Sequence, residues 1–152
     1  MTEADQTPSL KWTSGLATGD GQLDADHQHL FAILDNLHDL IVRGEATNSV
    51  ISDILSELAE YVYEHFTHEE RMMARTHFPA RQRHESEHAR LTQSLSEIIY
   101  HFERGATEIS GEVLAFLRNW LQSHTTSLDM DLARYLRAVS SGSCGVDENA
   151  RA

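Results

Sequence analysis

Two short runs, His65-Phe66-Thr67-His68-Glu69-Glu70 and His84-Glu85-Ser86-Glu87-His88, constrain this chain more than anything else in it. On a helix, residues four apart lie one above the other on the same face. His65 with Glu69, and His84 with His88, therefore each form a two-pronged claw. Two claws facing each other make a metal cage, so the fold must bring two helices together at that level.

The apolar pattern around the claws is helical from end to end. Leu23, His27, Leu30, Leu34, Leu37 and Ile41 form the stripe of an amphipathic helix packed in a bundle, with Gly44 as its stop. A second stripe runs through Ile51, Leu55, Leu58, Val62, His65, Glu69 and Met72, with Asn48 or Ser49 as its N-cap. It ends near Arg75, because Pro79 cannot continue a helix. The third begins just after Pro79 and carries His84, His88, Leu91, Leu95, Ile98 and Phe102 before Gly105; the fourth begins near 107–110 and carries Leu114, Leu117, Leu121, His124, Leu128 and Tyr135 or Leu136. Nothing reads as a strand. The pattern predicts an all-α fold, an antiparallel up-down-up-down four-helix bundle over residues 21–138. Residues 1–20 are expected to form an irregular N-terminal arm packed on the bundle through Trp12, and 139–152 a flexible polar tail.

Composition narrows the partners. A chain of 152 residues suits one core, and 24 acidic against 12 basic residues give a surface that repels nucleic acid and anionic membrane. The polar start and the lack of any apolar run near the ~20 residues that span a bilayer predict a cytoplasmic protein. Cys144, the only cysteine, excludes an internal disulfide framework and a thiolate metal site. Ten histidines are the oddity that needs a reason.

Five of them, His27, His65, His84, His88 and His124, fall at core positions spread over all four helices. A buried polar group without a partner costs about 1–3 kcal/mol, so five converging imidazoles would consume much of a small domain's stability unless they shared a ligand. Glu69 stands in register with them, and Asp129 follows His124 by five residues toward the same side. Five imidazoles and two carboxylates exceed the needs of one ion and suit two six-coordinate ions bridged by the carboxylates. His29, His38, His68, His77 and His101 read as solvated or peripheral, and Glu70 as a surface charge.

Together with Trp12, the stretch 23–31, residues 65–73, Phe78-Pro79, and 120–124 with Asp129, these residues make a sequence that resembles the hemerythrins, and among them the single-domain bacterial members. The resemblance covers about 10–137. It implies a non-heme di-iron centre in which His84, His88 and His124 hold one iron and His27 and His65 the other. Glu69 and Asp129 would bridge the irons beside a solvent-derived oxo or hydroxo group. O2 would be taken at the iron left one ligand short, and NO or small anions could compete there. Leu30, Phe66, Trp120 and Leu121 would wall the O2 pocket. Two positions depart from the family pattern: Thr125 stands where isoleucine is usual after the last histidine ligand, and Asp26 where glutamine is common before the first. The expected function is reversible O2 binding for storage, transport or delivery rather than enzymatic turnover. Sensing of O2, NO or redox state, a peroxidase-like or oxidase-like reaction, and plain metal storage are the competing readings.

Overall fold

The computed structural model describes residues 11–106 and 108–146. Helix α1 spans Gly21–Val42, α2 Asn48–Arg75, α3 Arg81–Glu103 and α4 Gly111–His124; a π-helical segment, Thr125–Asp129, joins α4 directly to α5, Met130–Val146. With α5 continuing the line of α4, the architecture is the antiparallel four-helix bundle anticipated from the stripes.

Helix starts follow the chemistry of side-chain caps. The Asp20 carboxylate accepts from the backbone N–H of Gln22 and Leu23, so α1 begins at Gly21, two residues earlier than the apolar stripe indicates. Thr47, rather than Asn48 or Ser49, caps α2 by accepting from Val50 N–H, and Ser110 caps α4 in the same way through Val113.

The first three helices also end alike. Gly44 (φ 69°) takes the left-handed conformation after α1, and its N–H and that of Glu45 return to the carbonyls of Ile41 and Leu40. Gly105 (φ 71°) repeats this pattern after α3. After α2 the left-handed residue is His77 (φ 53°), and Phe78 N–H returns to Met73 C=O, so a histidine does the work of glycine there. These tight reversals permit the connections of a bundle.

The interior has three levels. A large apolar cluster fills one end of the bundle, including Phe31, Leu34, Leu55, Leu58, Leu91, Leu95 and Leu117. A smaller one, Met73, Phe78 and Leu132 backed by Met72, Tyr135 and Leu136, closes the other. The buried histidines and acids belong to neither. His65 and Glu69 fall on α2 between Val62 of the first cluster and Met73 of the second, so apolar residues flank the polar level along that helix.

Near the start of the described residues, Trp12 packs against the large cluster. Thr18 N–H and Oγ1 both donate to Asp24 (2.7 and 2.8 Å), while Arg137 Nη1 donates to Thr18 C=O (3.0 Å), which ties the start of α1 to α5. The polar stretch expected to be flexible beyond 138 continues as helix to Val146, and 147–152, like 1–10 of the arm, lie outside the described residues. Among the described residues, no helix is long and apolar enough to cross a membrane.

Burial decides which side chains carry stability. Leu58 is fully buried, and Leu58→Ala is expected to destabilise the fold by about 2–5 kcal/mol. Tyr63, 69% exposed on the same helix, should tolerate alanine within about 0.5 kcal/mol. Urea unfolding of the two variants beside the wild type measures both.

Candidate metal centre

Each of the four helical lines contributes to one polar level. His27 comes from α1, His65 and Glu69 from α2, His84 and His88 from α3, His124 from the last residue of α4, and Asp129 from the last residue of the π segment. All seven are at least 95% buried.

The π segment explains how the last two meet. In an uninterrupted α-helix, residues five apart point about 140° away from each other, so Asp129 would face away from His124. A π turn widens the helix by one residue and restores the phase. The sequence supports the wider turn locally: Thr126 Oγ1 donates to the carbonyl of Gln122 (2.8 Å), and Ser127 Oγ to that of Ser123 (2.6 Å), satisfying acceptors near the distortion. His124 Nε2 then lies 2.9 Å from Asp129 Oδ1.

The two carboxylates divide the imidazoles between them. Asp129 Oδ2 faces His27 Nε2 (2.6 Å) and His65 Nε2 (3.6 Å), while Oδ1 faces His84 Nε2 (3.1 Å) and His124 Nε2. Glu69 repeats the division, with Oε1 toward His65 Nε2 (3.2 Å) and Oε2 toward His88 Nε2 (2.9 Å) and His84 Nε2 (3.3 Å). The result is two adjacent donor sets, one of His27, His65, Glu69 and Asp129 and one of Glu69, His84, His88, His124 and Asp129. Both carboxylates are common to the two sets, with one oxygen on each side.

Apart from the hydrogen bond between His27 Nε2 and Asp129 Oδ2, these donors do not satisfy one another. Nε2 of His65, His84, His88 and His124, both oxygens of Glu69 and Oδ1 of Asp129 are buried and make no hydrogen bond, although several approach one another closely. They aim at common points rather than along each other's N–H directions. An orphaned buried polar group costs about 1–3 kcal/mol, so the set fits a pair of cations and is poorly served by anything else.

The matches to known proteins agree with this arrangement. The family model described as hemerythrin HHE cation binding domain covers residues 18–136. The chain belongs to the hemerythrin family. It is 29% identical over 121 residues to a bacteriohemerythrin of Methylococcus capsulatus, covering 79% of this chain and 91% of the relative. A bacteriohemerythrin of Pseudomonas aeruginosa is 28% identical over 130 residues, covering 86% and 81%. The crystal structure of a wild-type hemerythrin superposes with a TM-score of 0.78 at 27% identity, covering 85% of this chain and 98% of the other.

Two of the expected pocket residues, Phe66 and Trp120, pack edge-on against each other with ring centroids 6.2 Å apart. Phe66 stacks flat on His88 (centroids 3.7 Å apart) and lies 5.5 Å from the His124 ring and 5.9 Å from that of His65. Trp120 stacks near His124 at 6.5 Å. Leu30, Leu121 and Thr125 are buried, and the Thr125 hydroxyl makes no hydrogen bond. Two grooves open toward the level. One of about 560 Å³ reaches Phe66 and His88, and the other, about 300 Å³, reaches Trp120 and His124 beside the Glu87–Arg90 ion pair.

Two carboxylates beyond the seven were given no role by the sequence reading. Asp26 accepts from His65 Nδ1 at 2.9 Å, and Glu70, read as a surface charge, accepts from His88 Nδ1 at 3.0 Å. Each is the immediate chain neighbour of a core residue, His27 or Glu69, and so points about 100° off the stripe that periodicity selects. What each serves is the outer nitrogen of an imidazole on a neighbouring helix, which no stripe reports. His29, His77 and His101 are exposed and His38 and His68 half-buried, as expected.

Without a cation, protons take its place. Burial works against the charge on Glu69, as does neighbouring Asp129, but the imidazoles of His65 and His124 outweigh both and hold its carboxyl well below the usual range. Asp129 is lowered likewise, chiefly by His124 against the cost of burial. Burial would push His124 down, yet Asp129 and Glu69 carry it from 6.5 up to about 10. A raised histidine value means a proton retained throughout neutral pH and lost only as pH rises through that value. Zinc loading of the metal-free protein is therefore expected to release protons at neutral pH, with an apparent affinity that climbs between about pH 6.5 and about pH 10. Calorimetric titrations in buffers of different ionisation enthalpy measure the release.

Proposed function

We propose that the protein binds O2 reversibly at a non-heme di-iron centre and serves in its storage, transport or delivery. The observation that carries this reading is the split of the histidines, two against three, across two shared carboxylates. With both carboxylates counted on each side, one donor set has five members and the other four. If a solvent-derived group also bridged the two irons, the smaller set would offer one donor fewer than the larger, and a diatomic ligand would be taken up on that side. Two ferrous ions held there would supply the two electrons that O2 takes up and returns.

The chain's own residues do the rest. His84, His88 and His124 would hold one iron, His27 and His65 the other, and Glu69 and Asp129 would bridge them. Five neutral imidazoles fill positions without adding negative charge. Two ferrous ions, two carboxylates and one hydroxide leave a net +1, a charge the interior tolerates better than a larger one. Leu30 and Leu121, both buried, with Phe66 and Trp120 packed on the imidazoles, would limit the access of water and protons that release reduced oxygen irreversibly. The bundle lacks the paired Glu-x-x-His motifs of carboxylate-rich di-iron oxidation sites, which favours binding over turnover.

Thr125 supports a second reading. Its buried hydroxyl without a partner, next to His124 in the chain, is a proton donor that an isoleucine would not offer, and it favours slow turnover with an external reductant, oxidase-like on O2 or peroxidase-like on peroxide.

Iron-supplied protein is expected to hold two irons per chain, and after anaerobic reduction to gain visible absorption bands in air that vanish when O2 is removed. Steady O2 consumption in the presence of a reductant would instead favour the enzyme, and the absence of any visible band would end the di-iron reading. Thr125→Ile should slow the decay of the oxygenated bands relative to wild type. His124→Ala should lower iron occupancy below two per chain, measured by elemental analysis.

A further inference from the structure

Five imidazoles point Nε2 into the donor sets, and their outer nitrogens are treated very differently. Nδ1 of His27, His84 and His124 makes no hydrogen bond among the described residues. In the smaller set, His65 alone has its outer nitrogen anchored, by Asp26 Oδ2 at 2.9 Å. Asp26 is 7% exposed and held from two helices: Gln22 Nε2 donates to its Oδ1 at 2.9 Å from one turn back on α1, and Tyr61 Oη donates to the same oxygen at 3.3 Å from α2. His68 Nδ1 stands 3.6 Å from Oδ2. Asp26 itself belongs to neither donor set.

We infer that Asp26 is a positioning residue for the two-histidine side of the centre, fixing the His65 tautomer and placing a compensating negative charge behind that ligand. The inference rests on the metal-pair reading above and deepens it.

The tautomer argument is geometric. An imidazole ligates through a nitrogen that carries no proton, and the Asp26 hydrogen bond keeps the proton on Nδ1, so that Nε2 presents its lone pair inward. Without that acceptor, the proton could sit on Nε2, where it would face Glu69 and exclude a cation. The charge argument is arithmetic. The residual +1 of the reduced centre is matched by one carboxylate that is not itself a ligand, and Asp26 is the one buried deeply enough to act at short range without solvent screening. Glu70 holds His88 in the same way on the larger set, but its side chain is 39% exposed, which screens its charge. A negative charge behind His65 strengthens its donation and favours the more highly charged metal state.

Cobalt(II), which is redox-stable, separates ligand positioning from gas chemistry. Metal-free wild type is expected to bind two cobalt ions per chain. Asp26→Asn preserves an oxygen acceptor for His65 while removing the charge, and should weaken one of the two ions by about tenfold; Asp26→Ala, which removes both, should weaken it by about 10–100-fold. Iron-loaded Asp26→Asn should be reduced at a more positive potential than wild type, and Glu70→Gln should shift the potential less. Far-ultraviolet circular dichroism of each variant reports whether the bundle remains folded. Cobalt affinities and reduction potentials in folded Asp26→Asn that match the wild type would overturn the inference. A wild type that takes up no cobalt pair would overturn the metal-pair reading itself, and the inference with it.

Discussion

Seven buried polar side chains stand at one level of a helical bundle, and beyond the single hydrogen bond between His27 and Asp129 they leave one another unsatisfied. Four imidazole Nε2 atoms and three carboxylate oxygens are withdrawn from water with no hydrogen bond, flanked along α2 by apolar residues on both sides. Such a layer is tolerable in a folded chain only if something else completes it. The fold and the cation site are in this sense one problem. The tight left-handed helix ends, the side-chain caps and the apolar clusters bring four helical lines into the phase at which the seven donors converge.

Completion also sets the balance of charge. The acids are held ionised by imidazoles that are in turn held protonated, and this internal arrangement is the metal-free state of the site rather than its purpose. A divalent pair would replace those protons with charge of the same sign at the same place. Neutral imidazole donors would then keep the total low, while the carboxylates, each with one oxygen on either side, would tie the two positions together.

The stripes made most of this legible in the sequence. His27, His65, His84, His88 and His124 replace leucine-like positions in otherwise apolar rows, and that substitution pattern places them in the core whatever the details of the helices. Asp129 was harder to justify, since five residues on an α-helix point the wrong way, and only the π turn over Thr125–Asp129 brings it round. The hydroxyls of Thr126 and Ser127, bonded back to the preceding turn, are the local trace of that turn, but periodicity has no means of registering a single added residue. Asp26 and Glu70 were invisible for another reason. Their partners lie on the outer edges of the rings, away from every apolar stripe, and the Asp26 contact depends on how α1 sits against α2.

The widened turn carries a consequence for how such a chain can change over time. Because one residue's worth of phase is absorbed between His124 and Asp129, everything beyond it, including Leu132 in the smaller apolar cluster and Arg137 at the mouth of α1, is set by that offset. Loss of a single codon there would leave a helix of good propensity while turning its far half about 100° on its axis. Point changes could be absorbed one at a time along this stretch, whereas its length is held fixed by what lies on both flanks.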